Sequence, residues 1–210
     1  MHAGCLGALA SLGQPEPLAT PGIILGWSLG GLSALAQAIQ RPTQVRGLIL
    51  IGTTPLFTQA PDWSWGWSAV RLQALMQQVV AAPEATLAEF LRWVSYPSPS
   101  ARRQLRALWQ QQPPPDIADL KRGLQQLALL DLRAQLSAVQ CPCLLLHGAQ
   151  DALVPLAAAH ALAQQLPQAQ LHVLGQSHAP FLEQPQAALA IIHTWSKTHV
   201  GTSTHSPSVC

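Results

Sequence analysis

Three residues of this chain have the types, order and setting for acyl transfer: Ser28, Asp151 and His178. A serine hydroxyl is a poor nucleophile near neutral pH. An imidazole must take its proton, and an acid must hold that imidazole in one tautomer. Ser28 lies in Gly26-Trp27-Ser28-Leu29-Gly30-Gly31, directly after the apolar run Ile23-Ile24-Leu25. The pattern is that of a nucleophile elbow, in which a strand turns sharply into a helix and lifts the serine above the sheet. A Cβ at Gly26 or Gly30 is expected to collide across such a turn. The helix that follows, Leu29 to Gln40, points its first amides at the reacting carbonyl, so the Leu29 amide can bind an oxyanion.

Asp151 and His178 each come just past a strand-like run. Asp151 follows Pro142-Cys143-Leu144-Leu145-Leu146-His147-Gly148, and His178 follows the run from Gln170 to Leu174. Loops that leave the carboxyl ends of parallel strands share one edge of the sheet, which is also where the elbow puts Ser28. Each residue alone has an ordinary alternative, the aspartate as a turn former and the histidine as a solvated loop residue. The order serine, acid, histidine favours a triad. His147 reads as part of a strand, His160 and His193 as helical and His172 as part of the last strand, so none of these is as well placed as His178.

The elements that must hold these residues follow from periodicity. Val45 to Ile51 is nearly all apolar, as in a parallel strand covered on both faces, and completes a right-handed βαβ unit with the first strand and helix. From Thr53 to about Leu130 the texture changes to helical periodicity with five tryptophans, Trp63, Trp65, Trp67, Trp93 and Trp109. Helices are expected over Ala69–Val80, Pro83–Val94 and Ala101–Gln111, divided by prolines and stopped at Pro113-Pro114-Pro115. Strands return at Pro142, a helix covers Leu156–Leu166, and a closing helix runs from Pro185 to Ser196. The reading is an α/β fold, a parallel sheet flanked by helices, with residues 1–55 and 136–198 as its two parts. Residues 56–135 form a helical lid between them, and 199–210 belong to a polar tail, beginning at Lys197, that is expected to be disordered. Residues 1–13 have a loose helical pattern.

Composition bounds the function. At 49% hydrophobic and 10% charged, the 210-residue chain has a core too large for a disordered protein. A net charge of +2 gives no argument for nucleic acid, and no apolar run is long enough to span a bilayer. Cys5, Cys141, Cys143 and Cys210 have neither metal nor redox spacing, which fits a reducing, cytoplasmic compartment. No metal and no cofactor are implied.

With the elbow, Asp151 and His178 in place, the chain resembles the serine esterases of the α/β-hydrolase fold. More narrowly, it resembles the pimeloyl-acyl-carrier-protein methyl ester esterases of biotin synthesis. The matching stretches are Leu25 through Leu32, Val45-Arg46-Gly47-Leu48, Phe90-Leu91, Asp131-Leu132-Arg133, Gly148 through Pro155, and Ser177-His178-Ala179-Pro180-Phe181. The resemblance implies hydrolysis of a methyl ester on an acyl-carrier protein, or of a small ester, through an acyl-enzyme on Ser28. It also implies substrate contacts by Trp27, Leu29 and the segment Phe90, Leu91, Arg92, Trp93 and Val94. Arg102 and Arg106 match residues that face the acidic carrier protein; Ala85 and Glu89 stand where the family has further arginines. A full-length chain is expected to be a monomer.

Within the class, a lactonase, thioesterase or C–C hydrolase is the alternative, since pocket residues rather than the triad decide the substrate. From a different class, the alternative is a non-catalytic fragment, inert or acting only through its tryptophan-rich lid and basic helix as a binding surface. The family begins with several strands and a His-Gly turn that gives the second oxyanion amide. Only about twenty residues precede the Ile23 strand here, so these N-terminal strands are expected to be missing. Loss of one oxyanion donor costs roughly 10²–10³ in rate. The Ile23 strand is then an exposed apolar edge that favours pairing with another chain or aggregation.

Overall fold

The computed structural model describes residues 20–199. The expectations for residues 1–13, for Cys5 and Cys210 and for the tail beyond His199 lie outside the described residues.

Four parallel strands form the sheet: β1 (Gly22–Trp27), β2 (Val45–Ile51), β3 (Cys143–His147) and β4 (Ala169–Val173), in the spatial order β1-β2-β3-β4. Parallel neighbours need crossovers, and three parts of the chain supply them. Helix α1 (Leu29–Gln40) joins β1 to β2. A long insertion joins β2 to β3, and α6 (Leu156–Gln165) joins β3 to β4. After β4 come the single turn α7 (Pro180–Glu183) and α8 (Pro185–His199). The closing helix therefore takes in Lys197, Thr198 and His199, which the sequence reading gave to the tail; the polarity of these residues suits an exposed last turn.

β2 and β3 are central, and their side chains are buried on both faces. Leu48 and Leu145 pack with α1 on one side, while Ile49, Leu144 and Leu146 pack with Trp195 of α8 on the other. Each such leucine contributes about 1.5–3 kcal/mol by burial. β1 is different. It pairs with β2 alone among the described residues, and Ile23 and Leu25 are 39% and 54% exposed.

The insertion contains α2 (Ala69–Ala81), α3 (Pro83–Ser95), α4 (Pro99–Gln110), α5 (Ile117–Leu129) and a short 3-10 helix, Arg133–Ala138. Two places differ from the expectation, for one reason. Pro99 does not divide helices but opens α4, with the Ser98 hydroxyl accepting from the Ala101 amide at 3.2 Å. Pro113-Pro114-Pro115 does follow the end of α4 at Gln110, but the expectation lacked the helix beyond it: Asp116 caps α5 through its carboxylate and the Ala118 amide at 2.8 Å. Proline is well tolerated where a helix begins, because the amide it lacks has no partner there.

The insertion shares its core with the sheet unit. Leu56, Trp67, Leu75, Val79, Val94 and Leu105 pack in one cluster with Leu153 and Val154 of the Asp151 loop and with Ala179 and Leu182 of the His178 loop. The Trp67 indole N–H donates to the Leu153 carbonyl at 3.1 Å, and the Arg71 guanidinium lies 3.4 Å from the centroid of the Trp67 ring. Among the described residues, no helix is long and apolar enough to cross a membrane.

Candidate active site

Ser28 occupies the sharpest point of the backbone. Its φ of 56° and ψ of −120° lie in a region that L-residues rarely adopt, and such strain persists only where the surroundings hold it. Here they do. The Ser28 amide donates to the Ile51 carbonyl at 2.9 Å, and the Thr53 hydroxyl reaches the Ser28 carbonyl at 3.3 Å. A Cβ on Gly26 would lie 2.5 Å from the Gly30 carbonyl oxygen, so glycine is required there. The expectation for Gly30 is corrected: a Cβ there would meet nothing within 4 Å. The crowded position is Gly31, which faces Thr53, because the first helical turn rotates Gly30 outward and Gly31 inward. Leu29 and Gly30 open α1, so their amides have no carbonyl partner within the helix.

Asp151 and His178 meet. His178 Nδ1 is 2.7 Å from Asp151 Oδ2, and both side chains are buried. The other carboxylate oxygen accepts from the Leu153 and Val154 amides at 2.9 and 3.0 Å. Burial pushes the Asp151 carboxyl up. The His178 bond, first of all, and the Val154 amide together outweigh that and hold it below the ordinary aspartate value. A carboxylate that stays charged fixes the proton on His178 Nδ1 and leaves Nε2 as the acceptor. That Nε2 is buried and has no hydrogen-bond partner among the described residues.

The His178 loop is held from several sides. Its amide donates to the Val94 carbonyl of α3 at 3.1 Å, and its carbonyl accepts from the Trp27 indole at 2.9 Å. Gly52, at φ 54°, leaves room for the imidazole, since a Cβ would lie 3.0 Å from its Nδ1 and Cε1. One oxygen of Glu183 accepts from the Gln176 amide, the Ser177 amide and the Ser177 hydroxyl at 3.0, 2.7 and 2.7 Å. The sequence reading missed Glu183. Its signal is an acid five residues past the histidine and next to a proline-bounded turn.

Partial burial pushes the Glu183 carboxyl up, but the Ser177 and Gln176 bonds win and leave it below its ordinary value. A carboxylate depressed on folding stabilises the fold above its unfolded value, about 4.3, and loses that effect as pH falls through the lower folded value. Glu183→Gln is therefore expected to melt at a lower temperature than the parent at pH 7. The gap should close as the pH drops below about 4. Parallel thermal melts from pH 7 to 3 measure this; a gap that is constant with pH would refute the role of the charge.

A cavity of about 310 Å³ opens beside Ser28 and His178. Its walls are almost wholly apolar. Trp27 and Leu29 stand at its base, Leu75 and Val79 of α2 and Leu87, Phe90 and Val94 of α3 form one wall, and Leu120, Leu124 and Leu127 of α5 another. Of the segment Phe90 to Val94, only the end residues reach this space. Leu91, Arg92 and Trp93 do not line it, because residues four apart share a helix face and those between point away. Trp93 packs edge-on against Trp67 instead, and Arg92 is exposed. Arg102 and Arg106 are both exposed on α4. Among the described residues no group of three or more His, Cys, Asp or Glu could hold a metal.

The pattern of the alpha/beta hydrolase family matches residues 3–191. The chain belongs to the alpha/beta hydrolase family. Among curated relatives, it is 39% identical over 167 residues to a pimeloyl-[acyl-carrier protein] methyl ester esterase of Nitrosomonas europaea. That match covers 78% of this chain and 66% of the relative. It is 38% identical over 182 residues to the protein of the same name in Aromatoleum aromaticum, covering 81% of this chain and 72% of the relative. The chain thus spans about two thirds of the length of these relatives. Among solved structures, an esterase from Exiguobacterium antarcticum superposes with a TM-score of 0.71 at 24% identity. It covers 85% of this chain and 67% of that one, a likeness of fold.

Proposed function

We propose that this alpha/beta hydrolase is a serine carboxylic ester hydrolase acting on the methyl ester of a carrier-bound, medium-length acyl chain, pimeloyl-acyl-carrier protein methyl ester being the substrate its relatives' names suggest. The observation that carries the reading is the buried Asp151–His178 bond, with the free His178 Nε2 beside the apolar cavity that Ser28 also lines. Ser28 Oγ attacks the ester carbonyl as His178 Nε2 takes its proton, and Asp151 holds the imidazole tautomer. The oxyanion forms against the Leu29 amide at the start of α1. His178 then returns the proton to the departing methanol, and a water activated in the same way cleaves the acyl-enzyme.

The cavity argues for the acyl part. At about 310 Å³ it has the size of a small-molecule site, and its lining is mostly leucine, valine and phenylalanine. That suits a medium-length acyl chain. Its apolar walls offer nothing to a charged product carboxylate, which favours release after hydrolysis. The helical insertion that roofs this cavity serves as the lid. Arg102 and Arg106, four residues apart and exposed on α4, suit an acidic carrier protein. Free thiols at the buried Cys141 and Cys143 suit a cytoplasmic enzyme.

Labelling with a fluorophosphonate, followed by mass spectrometry of the modified peptide, tests the chemistry. A stoichiometric adduct on Ser28 that is lost in His178→Ala is the expected result. Folded protein that takes up no label would overturn the proposal. Methyl esters of acyl-carrier protein and of free short acids, compared at equal concentration, then test the substrate.

A further inference from the structure

A second histidine lies against the same carboxylate. His147 is the last residue of β3 and is 1% exposed. Its Nε2 is 2.8 Å from the Val154 carbonyl oxygen and 3.4 Å from Asp151 Oδ2, the oxygen that His178 Nδ1 meets at 2.7 Å. A carbonyl only accepts hydrogen bonds, so Nε2 must carry the proton. That proton is held by the Val154 carbonyl. Val154 in turn donates its amide to Asp151 Oδ1 at 3.0 Å. His147, Val154 and Asp151 thus form a closed set of contacts, and the side chain at the end of β3 fixes the loop that leaves it.

We propose that His147 is a positioning residue for the carboxylate: its Nε2–H holds the Val154 carbonyl, and with it the turn whose Leu153 and Val154 amides keep Asp151 at the angle that His178 requires. The inference rests on the esterase reading given above. His147 does not touch substrate, since it does not line the cavity. The charged and titratable groups facing it are Asp151, His178 and His160. Burial pushes the His147 imidazole down, against the opposing effects of Asp151 and the Val154 carbonyl, so it stays neutral and acts as a donor rather than as a cation. A neutral donor costs the carboxylate little of its charge, whereas a second imidazolium would compete with His178 for it.

A space-filling role alone predicts that an apolar residue of similar size would serve. A positioning role predicts otherwise. His147→Leu is expected to lower kcat for a short methyl ester about tenfold with KM within twofold, the scale typical of a lost outer-shell partner. His147→Gln, which returns an N–H at similar reach, is expected to recover most of that loss. Nitrogen-15 histidine spectra of the unaltered protein offer a reading that needs no variant. His147 should show the Nε2–H tautomer, unchanged between pH 6 and 9, and the His178 Nδ1–H resonance should move in His147→Leu.

A folded His147→Leu variant with unchanged kcat and an unmoved Nδ1–H signal would overturn the proposal. An Nδ1–H tautomer at His147 in the unaltered protein would do the same, and that spectrum decides the matter if His147→Leu does not fold. If the unaltered protein neither labels at Ser28 nor turns over ester, the esterase reading fails instead. The tautomer and the Nδ1–H signal still judge whether His147 holds the turn that carries the carboxylate.

Discussion

Asp151→Asn is expected to lower kcat by about 10⁴ while leaving the fold intact, the scale of the corresponding change in a serine-histidine-aspartate triad. The retained fold follows from Oδ1, which accepts from the Leu153 and Val154 amides; an asparagine oxygen can accept both. Its amide group must then take the other place, facing His178 Nδ1 across the present 2.7 Å. Two donors cannot share that bond. The imidazole resolves the conflict by moving its proton to Nε2, which removes the lone pair that Ser28 needs. The check is single-turnover hydrolysis beside a thermal melt. A loss of less than about tenfold would show that the carboxylate charge is not what sets the His178 tautomer.

Gly123→Phe has the next largest expected effect. Gly123 lines the cavity from α5, and a Cβ there would lie 3.1 Å from Leu29 Cδ2. A methyl group needs only a small shift of the leucine, but an aromatic ring must enter the cavity itself. The space left holds a short acid and excludes a longer one, and contacts of this kind are worth roughly ten- to two-hundredfold in kcat/KM. The ratio of kcat/KM for a seven-carbon methyl ester to that for an acetate ester should fall by about a hundredfold. Labelling of Ser28 by a small phosphonate should change little. A parallel loss on both esters would mean that the ring disturbs the elbow rather than the acyl space.

The sheet was legible because its evidence is local. Val45–Ile51 and Cys143–His147 are continuous apolar runs, and runs that are buried on both faces can only be central parallel strands. Loops after such strands converge, which brings Asp151 and His178 to one edge from positions 27 residues apart. Helix α5 was not legible, because three prolines read equally as an end and as a beginning; only Asp116, as an N-cap, decides between them. The apolar run that places His147 in a strand gives no hint that the next loop folds back over it. Glu183 stands five residues past His178 on a turn too short to show periodicity. Its contact depends on the positive φ of Gly175, where the chain reverses. Contacts that depend on how a loop returns are written in several dihedral angles at once, and no residue pattern records them.

Helix α5 contributes three leucines and Gly123 to the cavity wall but no fully buried residue to the folded core. Leu120, Leu124 and Leu127 are half-buried: they pack against the neighbouring core and also face the space proposed for the acyl group. Ser28, Asp151 and His178 lie instead on elements bound into the sheet and into each other. In the proposed esterase, chemistry and acyl selectivity are therefore carried by different elements of the chain. A library confined to Leu120, Gly123, Leu124 and Leu127 would explore new acyl groups with the elements that carry Ser28, Asp151 and His178 untouched, which makes α5 the natural starting place for redirecting the proposed activity.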